Sequence, residues 1–289
     1  MGLLLCFSSH GCSRFKKKKS KVKKEEKIVV NFINLTTILI RNMNFLLKIK
    51  AFVRFYAELA VDNKVSLLFT LLFPAIYQVL NSGTGKITNE NDFIRVCMPM
   101  IAYIIVSTAL NGVTMSIIAT RNSGYIKAYY YASGSRWAIY LANLVVQLVI
   151  VTLENIVFII SLMMLYRFFS IHLLVALILM TLISFPFVAL AFNILFLLKI
   201  RTSNMSILAT TLLIGLLVLF NVSANTFIPN FLKIIIEINP YVFVNLILRE
   251  LLQPNITVSF SVMFDCMVFG LSGFIGFQFF DLQNRGIRN

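Results

Sequence analysis

Apolar runs long enough to cross a lipid bilayer dominate this sequence. One of them, WAIYLANLVVQLVIVTLENIVFIISLMML (137–165), contains a single charged residue, Glu154. A transmembrane helix needs about 20 mainly apolar residues. The chain is 59% hydrophobic and 13% charged, whereas soluble proteins average about 45–50% and 25%. The sequence therefore predicts an all-α integral membrane protein with six spans, at 65–81, 94–119, 137–165, 171–198, 204–228 and 257–280.

The orientation of these spans follows from the distribution of lysine and arginine. The flank before the first span, the connection 120–136 and the turn 199–203 are basic, and the connections between them are less so. Cytoplasmic loops carry an excess of lysine and arginine. Both termini are therefore predicted to be cytoplasmic, with residues 282–289 as a short tail.

The N-terminal residues 1–42 hold ten lysines and arginines against two glutamates. Such a cluster can bind anionic lipid or nucleic acid, or it can be a disordered tail that stays in the cytoplasm. A third interpretation is that translation starts at Met43 and that these residues are not made. We predict a lipid membrane and no nucleic acid among the partners. Residues 43–64 place apolar side chains at helical spacing, which predicts an amphipathic helix on the cytoplasmic surface.

A polar segment, TRNSGYIKAYYYASGSR (120–136), separates the second and third predicted spans. Gly124 and the Gly134-Ser135 pair are expected to break the helix. The residues between them predict a short helix parallel to the membrane that exposes tyrosines and Lys127. An aromatic belt at the membrane interface explains the tyrosines equally well.

The segment 230–253 is apolar but interrupted at Asn239-Pro240, which predicts a re-entrant segment before the last span. That last span contains GLSGFIG (270–276), whose glycines predict close packing against another helix.

Two carboxylates lie inside predicted spans, Glu154 and Asp265. Ionisable residues are costly in a bilayer and are candidates for function. We predict that both lie in the outer half of the membrane and form a substrate path or external gate with Asn239, Pro240 and Arg249. The alternative is that each is paired or protonated within the bundle and only fixes helix packing.

The order of these features resembles the permease subunit of the type-2 ABC exporter family, the ABC-2 transporters. The resemblance covers about residues 44–281. It rests on the amphipathic helix, LLFP in the first span, the cassette R-x-x-G-x-x-K ending in SGSR, and INPYVFVNLILRELL before the last span. Where many members have a glutamate near the start of the cassette, this chain has Arg121-Asn122.

The resemblance implies that the helix after the second span fits a groove on a cytoplasmic ATPase subunit, which binds ATP and Mg²⁺. It also implies a second permease copy or a sister permease, and the export of a drug, antimicrobial peptide, lipid or glycan. The ATPase-coupling segment is expected to contain Arg121, Gly124, Lys127, Tyr131 and Arg136.

No ATP-binding motif of the chain's own is predicted. SGTGKIT (82–88) lacks the first glycine and the final Ser/Thr of a P-loop. A transport subunit rather than an enzyme is therefore expected.

The richness in Lys, Asn, Ile and Phe suits an AT-rich bacterial genome, and a bacterial plasma membrane is predicted. The alternative function is a non-transporting immunity or sensor protein that sequesters a peptide.

Overall fold

The computed structural model describes residues 45–60, 64–81, 89–133, 135–198, 200–222, 236–253 and 259–280. These residues are almost entirely helical and contain no β-strand. The chain divides into two units, Met1–Ala51 and Phe52–Asn289. Residues 45–51 of the first unit are helical. The predicted tails, 1–42 and 282–289, lie outside the described residues.

The second unit is a succession of helices. Residues 52–60 form α1. They are followed by α2 (Lys64–Asn81), α3 (Glu90–Ser107), a π-helical segment (Thr108–Met115), α4 (Ser116–Asn122), α5 (Tyr125–Ser133), α6 (Arg136–Tyr166), α7 (Ile171–Phe192), a 3-10 extension of α7 (Asn193–Leu197), a 3-10 turn (Thr202–Asn204), α8 (Met205–Val222), α9 (Pro240–Leu252) and α10 (Phe260–Gln278).

Four of these helical stretches are long and apolar enough to span a membrane: Glu90–Asn122, Arg136–Tyr166, Ile171–Leu197 and Phe260–Gln278. They coincide with four of the six predicted spans, which confirms an all-helical chain with several candidate membrane helices. Helix α2 occupies the first predicted stretch. Met205–Asn221, in the fifth, is apolar but shorter, and the predicted residues 223–228 lie outside the described part of the chain.

Helix α7 and its extension form the centre of the packing. They contact α6, α9, α10 and the π-helical segment. The glycines of α10 allow the closest approach, because a methyl group at Gly273 would meet the side chain of Leu190 and one at Gly276 would meet the backbone carbonyl of Asn193. The predicted close packing is confirmed for Gly273 and Gly276, and the helix they pack against belongs to the same chain, whereas a methyl group at Gly270 would meet nothing within 4 Å.

The first of the four candidate spans, Glu90–Asn122, is not a regular α-helix. Its π-helical segment faces α6, where the Asn143 amide nitrogen donates to the carbonyls of Gly112 and Val113 at 3.2 and 3.4 Å. A π-helical segment changes the hydrogen-bond pattern of a helix and leaves carbonyl groups available to neighbouring side chains. A methyl group at Gly112 would collide with Gln147. The segment thus holds the candidate spans Glu90–Asn122 and Arg136–Tyr166 together.

Candidate functional site

The polar segment 120–136 begins with a helix break at Gly124. This residue has a φ of 80°, a left-handed conformation that costs other L-residues about 1–2 kcal/mol. The backbone N–H groups of Ser123 and Gly124 donate to the carbonyls of Ala119 and Arg121 at 3.0 and 3.1 Å. The turn ends α4, and α5 begins at Tyr125, as the glycine predicted.

Arg121 points inward and caps another helix. Its side chain is buried, and its two terminal nitrogens donate to the carbonyls of Phe196 and Leu198 at 2.7 and 2.9 Å. Those carbonyls lie at the C-terminal end of the α7 extension, where carbonyl groups have no partner within the helix and a cation is favoured. The guanidinium also lies 5.7 Å from the ring centre of Phe280. Arg121 therefore joins the polar segment to the end of α7.

Arg136 caps the C-terminal end of α10 in the same way. It donates to the Phe280 carbonyl at 2.8 Å, just after α10, and stacks 5.8 Å from the ring centre of Tyr130. Next to it, the rings of Trp137 and Phe277 are 4.0 Å apart. Two arginines of the predicted coupling segment thus anchor α5 to the ends of α7 and α10.

One side of α5 packs against α1. The ring of Tyr129 meets Phe52 and Phe55 edge-on, with ring centres 6.0 and 5.3 Å apart. Burial raises the pKa of the Tyr129 hydroxyl, and Tyr125 raises it further. Tyr56 of α1 is buried, which also raises its pKa. Ile126 of α5 is also buried. Helix α5 is therefore fixed in position.

The opposite side of α5 is open. Tyr125 is 63% exposed and Tyr131 is 82% exposed, and Ala128 between them is also exposed. These residues recur every three positions and therefore lie along one side of the helix. We call Tyr125, Ala128 and Tyr131 the outer face of α5. Of the predicted coupling residues, Tyr131 lies on this face, and Lys127 is half-buried.

Tyr125 and Ala128 are not among the residues predicted for the coupling segment. The spacing of three residues from Tyr131 is the signal by which they can be found. Of the other predicted coupling residues, Gly124 forms the turn before the helix, and Arg121 and Arg136 hold helix ends.

Glu154 lies in α6 and is buried. The Thr70 hydroxyl of α2 donates to one carboxylate oxygen at 2.7 Å, and the Thr108 hydroxyl donates to the other at 3.4 Å. Hydrogen bonds of this kind satisfy a buried polar group. Glu154 thus links three helical stretches through hydroxyl groups.

Asp265 has different surroundings. It is 2% exposed on α10, whose neighbours are α7, its 3-10 extension and α9. Within the described ranges no hydrogen bond or ion pair reaches its carboxylate. Glu154 and Asp265 therefore share no hydrogen-bonding partner in the part of the chain that the structure describes.

Asn239 and Pro240 start α9. The Asn239 side-chain oxygen accepts from the Tyr241 N–H at 3.0 Å, and its nitrogen donates to the Leu216 carbonyl of α8 at 2.8 Å. Pro240 takes the first helical position, where its missing N–H costs nothing. Arg249 is exposed in the last turn of α9. The Asn-Pro pair thus has a structural role as a helix start and as a link to α8.

Comparison of this chain with protein-family models, with curated proteins and with solved structures found no match.

Proposed function

We propose that this chain is the membrane-spanning subunit of an ABC-2-type exporter in a bacterial plasma membrane. In this proposal a separate cytoplasmic ATPase binds ATP and Mg²⁺, and a second copy or a sister permease completes the transporter. The substrate is a drug, antimicrobial peptide, lipid or glycan, as the family resemblance implies.

The observation that carries the proposal is the outer face of α5. A short helix that joins two candidate spans exposes two tyrosines that no described residue covers, with Tyr131 82% exposed. Exposed aromatic side chains on a fixed support favour protein–protein contact, because they bring a large area at little entropic cost. The arginines at its two ends connect this face to α7 and α10. Pressure on α5 from a partner would therefore reach two candidate spans directly.

The charge distribution supports placing α5 in the cytoplasm. The helix ends on the same side of the bundle as α5 carry Arg121, Lys127, Arg136 and Arg201. The opposite helix ends carry three arginines, Arg95, Arg167 and Arg249, together with four acids, Glu90, Asp92, Glu237 and Glu250. Cytoplasmic ends of membrane helices are richer in lysine and arginine. With α2 and α8 as additional spans, the chain crosses the membrane six times and both termini are cytoplasmic.

The gate residues take a reduced role in this proposal. Asn239 and Pro240 fix α9, and Glu154 fixes α6 to its neighbours. Of the two buried carboxylates, Asp265 on the last span is the one that receives no hydrogen bond from the described residues. Among the predicted gate residues, we assign the gating role to Asp265.

Purification of the tagged chain from its native membrane in mild detergent, followed by mass spectrometry, tests the proposal. We expect a stoichiometric P-loop ATPase that is lost when Ala128→Glu and Tyr131→Glu are combined. The matched control is Gln253→Glu, an exposed position after α9, which should retain the ATPase. If no ATPase is recovered even after mild crosslinking, the transporter assignment is wrong and the peptide-sequestering function replaces it.

A further inference from the structure

A groove lies where the third candidate span ends and α8 begins. Its volume is about 480 Å³, and it is lined by Leu198, Ile200, Arg201, Asn204 and Leu208. It opens at the end of the helices that also carries α5. Neither the coupling segment nor the gate residues include any of these side chains.

The lining combines a cation with apolar walls. Arg201 is exposed, and Arg54–Glu58 is the one ion pair found among the described residues, so no carboxylate there neutralises Arg201. The Asn204 side-chain oxygen accepts from the Ser203 hydroxyl at 3.1 Å, which leaves its amide hydrogens available as donors. Leu198 is 47% exposed. The groove therefore offers donors for an anion beside a surface for a hydrocarbon chain.

The backbone beneath the groove is held from inside the protein. Arg121 donates to the Leu198 carbonyl at 2.9 Å, and Asn122 donates to the Ile200 carbonyl at 2.9 Å. The Asn204 N–H donates to the Arg201 carbonyl at 3.0 Å. A site supported in this way loses little conformational entropy when a ligand binds.

We propose that this groove binds an anionic phospholipid, with its phosphate at Arg201 and Asn204 and an acyl chain against Leu198 and Leu208. Basic pockets between membrane helices at the cytoplasmic side recognise anionic headgroups. A soluble phosphate is the less suitable occupant, because it would leave the apolar walls uncovered. The exposed Leu197 and Ile207 adjoin the groove along the two helices, and they offer a path for the acyl chain into the bilayer. The proposal depends on membrane embedding and is independent of any ATPase.

Native mass spectrometry of the full chain in detergent, titrated with phosphatidylglycerol or phosphatidylcholine, tests this site. We expect preferential retention of phosphatidylglycerol, and an apparent affinity roughly fivefold lower in Arg201→Gln, the effect of about one basic residue near a membrane surface. Leu208→Trp should lower it as well, by filling the apolar part of the groove. The matched control, Arg95→Gln, removes an exposed arginine near the start of α3, at the opposite end of the helices, and should bind as the unchanged chain does.

Three results would overturn the assignment. Equal loss of phosphatidylglycerol binding in the Arg201 and Arg95 variants would show that binding depends on the net charge of the protein and not on this groove. Equal retention of phosphatidylcholine would remove the role of the anion. Displacement of the lipid by millimolar inorganic phosphate would identify a soluble phosphate site instead. Thermal unfolding without added lipid should be the same for Arg201→Gln and the unchanged chain, because Arg201 is exposed.

Discussion

Replacing Arg121 with methionine should destabilise the end of the bundle that carries α5. The Phe196 residue that accepts from Arg121 is buried, so its carbonyl would lose a hydrogen bond to a charged donor, worth about 1.5–3 kcal/mol. Leu198 is half exposed and its carbonyl can bind water, so that bond contributes little. Contact with the Phe280 ring adds about 0.5–2 kcal/mol. Relief of the buried charge offsets part of the sum, and we expect a loss of about 2–4 kcal/mol in unfolding free energy.

The single tryptophan provides the assay. Trp137 lies against Phe277 at the same end of the bundle, so its fluorescence reports local unfolding in a detergent titration. The stability of Arg121→Lys should lie between those of Arg121→Met and the unchanged chain, because a lysine ammonium cannot donate to two carbonyls with the fixed geometry of a guanidinium. The exposed Arg249→Met is the control and should change stability by less than about 0.5 kcal/mol. If Arg121→Met unfolds at the same point as Arg249→Met, the capping role of Arg121 is refuted.

Three further changes test other parts of the account. Gly276→Ala places a methyl group against the Asn193 carbonyl and should lower the free energy of unfolding more than Gly124→Ala does. A methyl group at Gly124 meets nothing within 4 Å, so that variant should lose only about 1–2 kcal/mol through backbone strain. Equal losses of unfolding free energy in the same titration would contradict the close packing. Asn239→Ala removes a helix cap and an interhelical bond, and we expect a loss of about 1–2 kcal/mol and faster amide exchange at the start of α9; unchanged exchange would argue against the cap. Glu154→Gln keeps a hydrogen-bond acceptor and should fold and export substrate as the unchanged chain does. Glu154→Leu removes the acceptor and should lower the stability. A glutamine variant that folds but does not export substrate would mean that the carboxylate has a functional role.

Local features of this fold could be predicted from the sequence. The apolar runs predicted the long helices because a span is defined by its own length and hydropathy. Gly124 marked the start of α5 because the left-handed turn needs a residue without a side chain. Ser135 marks the start of α6 in a similar way, since its hydroxyl accepts from the Ala138 N–H at 3.4 Å.

Long-range contacts could not be predicted in this way. Arg121 follows the predicted span 94–119 and precedes a predicted loop, where arginine is usually solvated. The carbonyls to which it donates lie 75 and 77 residues further along the chain. Thr70 is 84 residues away from Glu154. Such pairs depend on how the helices pack. The Asn239 cap is different, because an asparagine before a proline at a helix start is a local signal. The sequence-based interpretation of this pair as a break and as part of a gate did not use that signal.

Site-specific photo-crosslinking from α5 tests most directly the claim that its outer face binds the ATPase subunit. A photoreactive phenylalanine is placed at position 131, which is exposed, or at position 129, whose ring packs against α1. Both positions carry tyrosine on the same helix, so each is the control for the other. In native membranes we predict a crosslink from position 131 to an ATPase subunit, and crosslinks from position 129 within this chain. Crosslinks from position 131 to lipid alone would contradict the account and would make α5 an interfacial anchor.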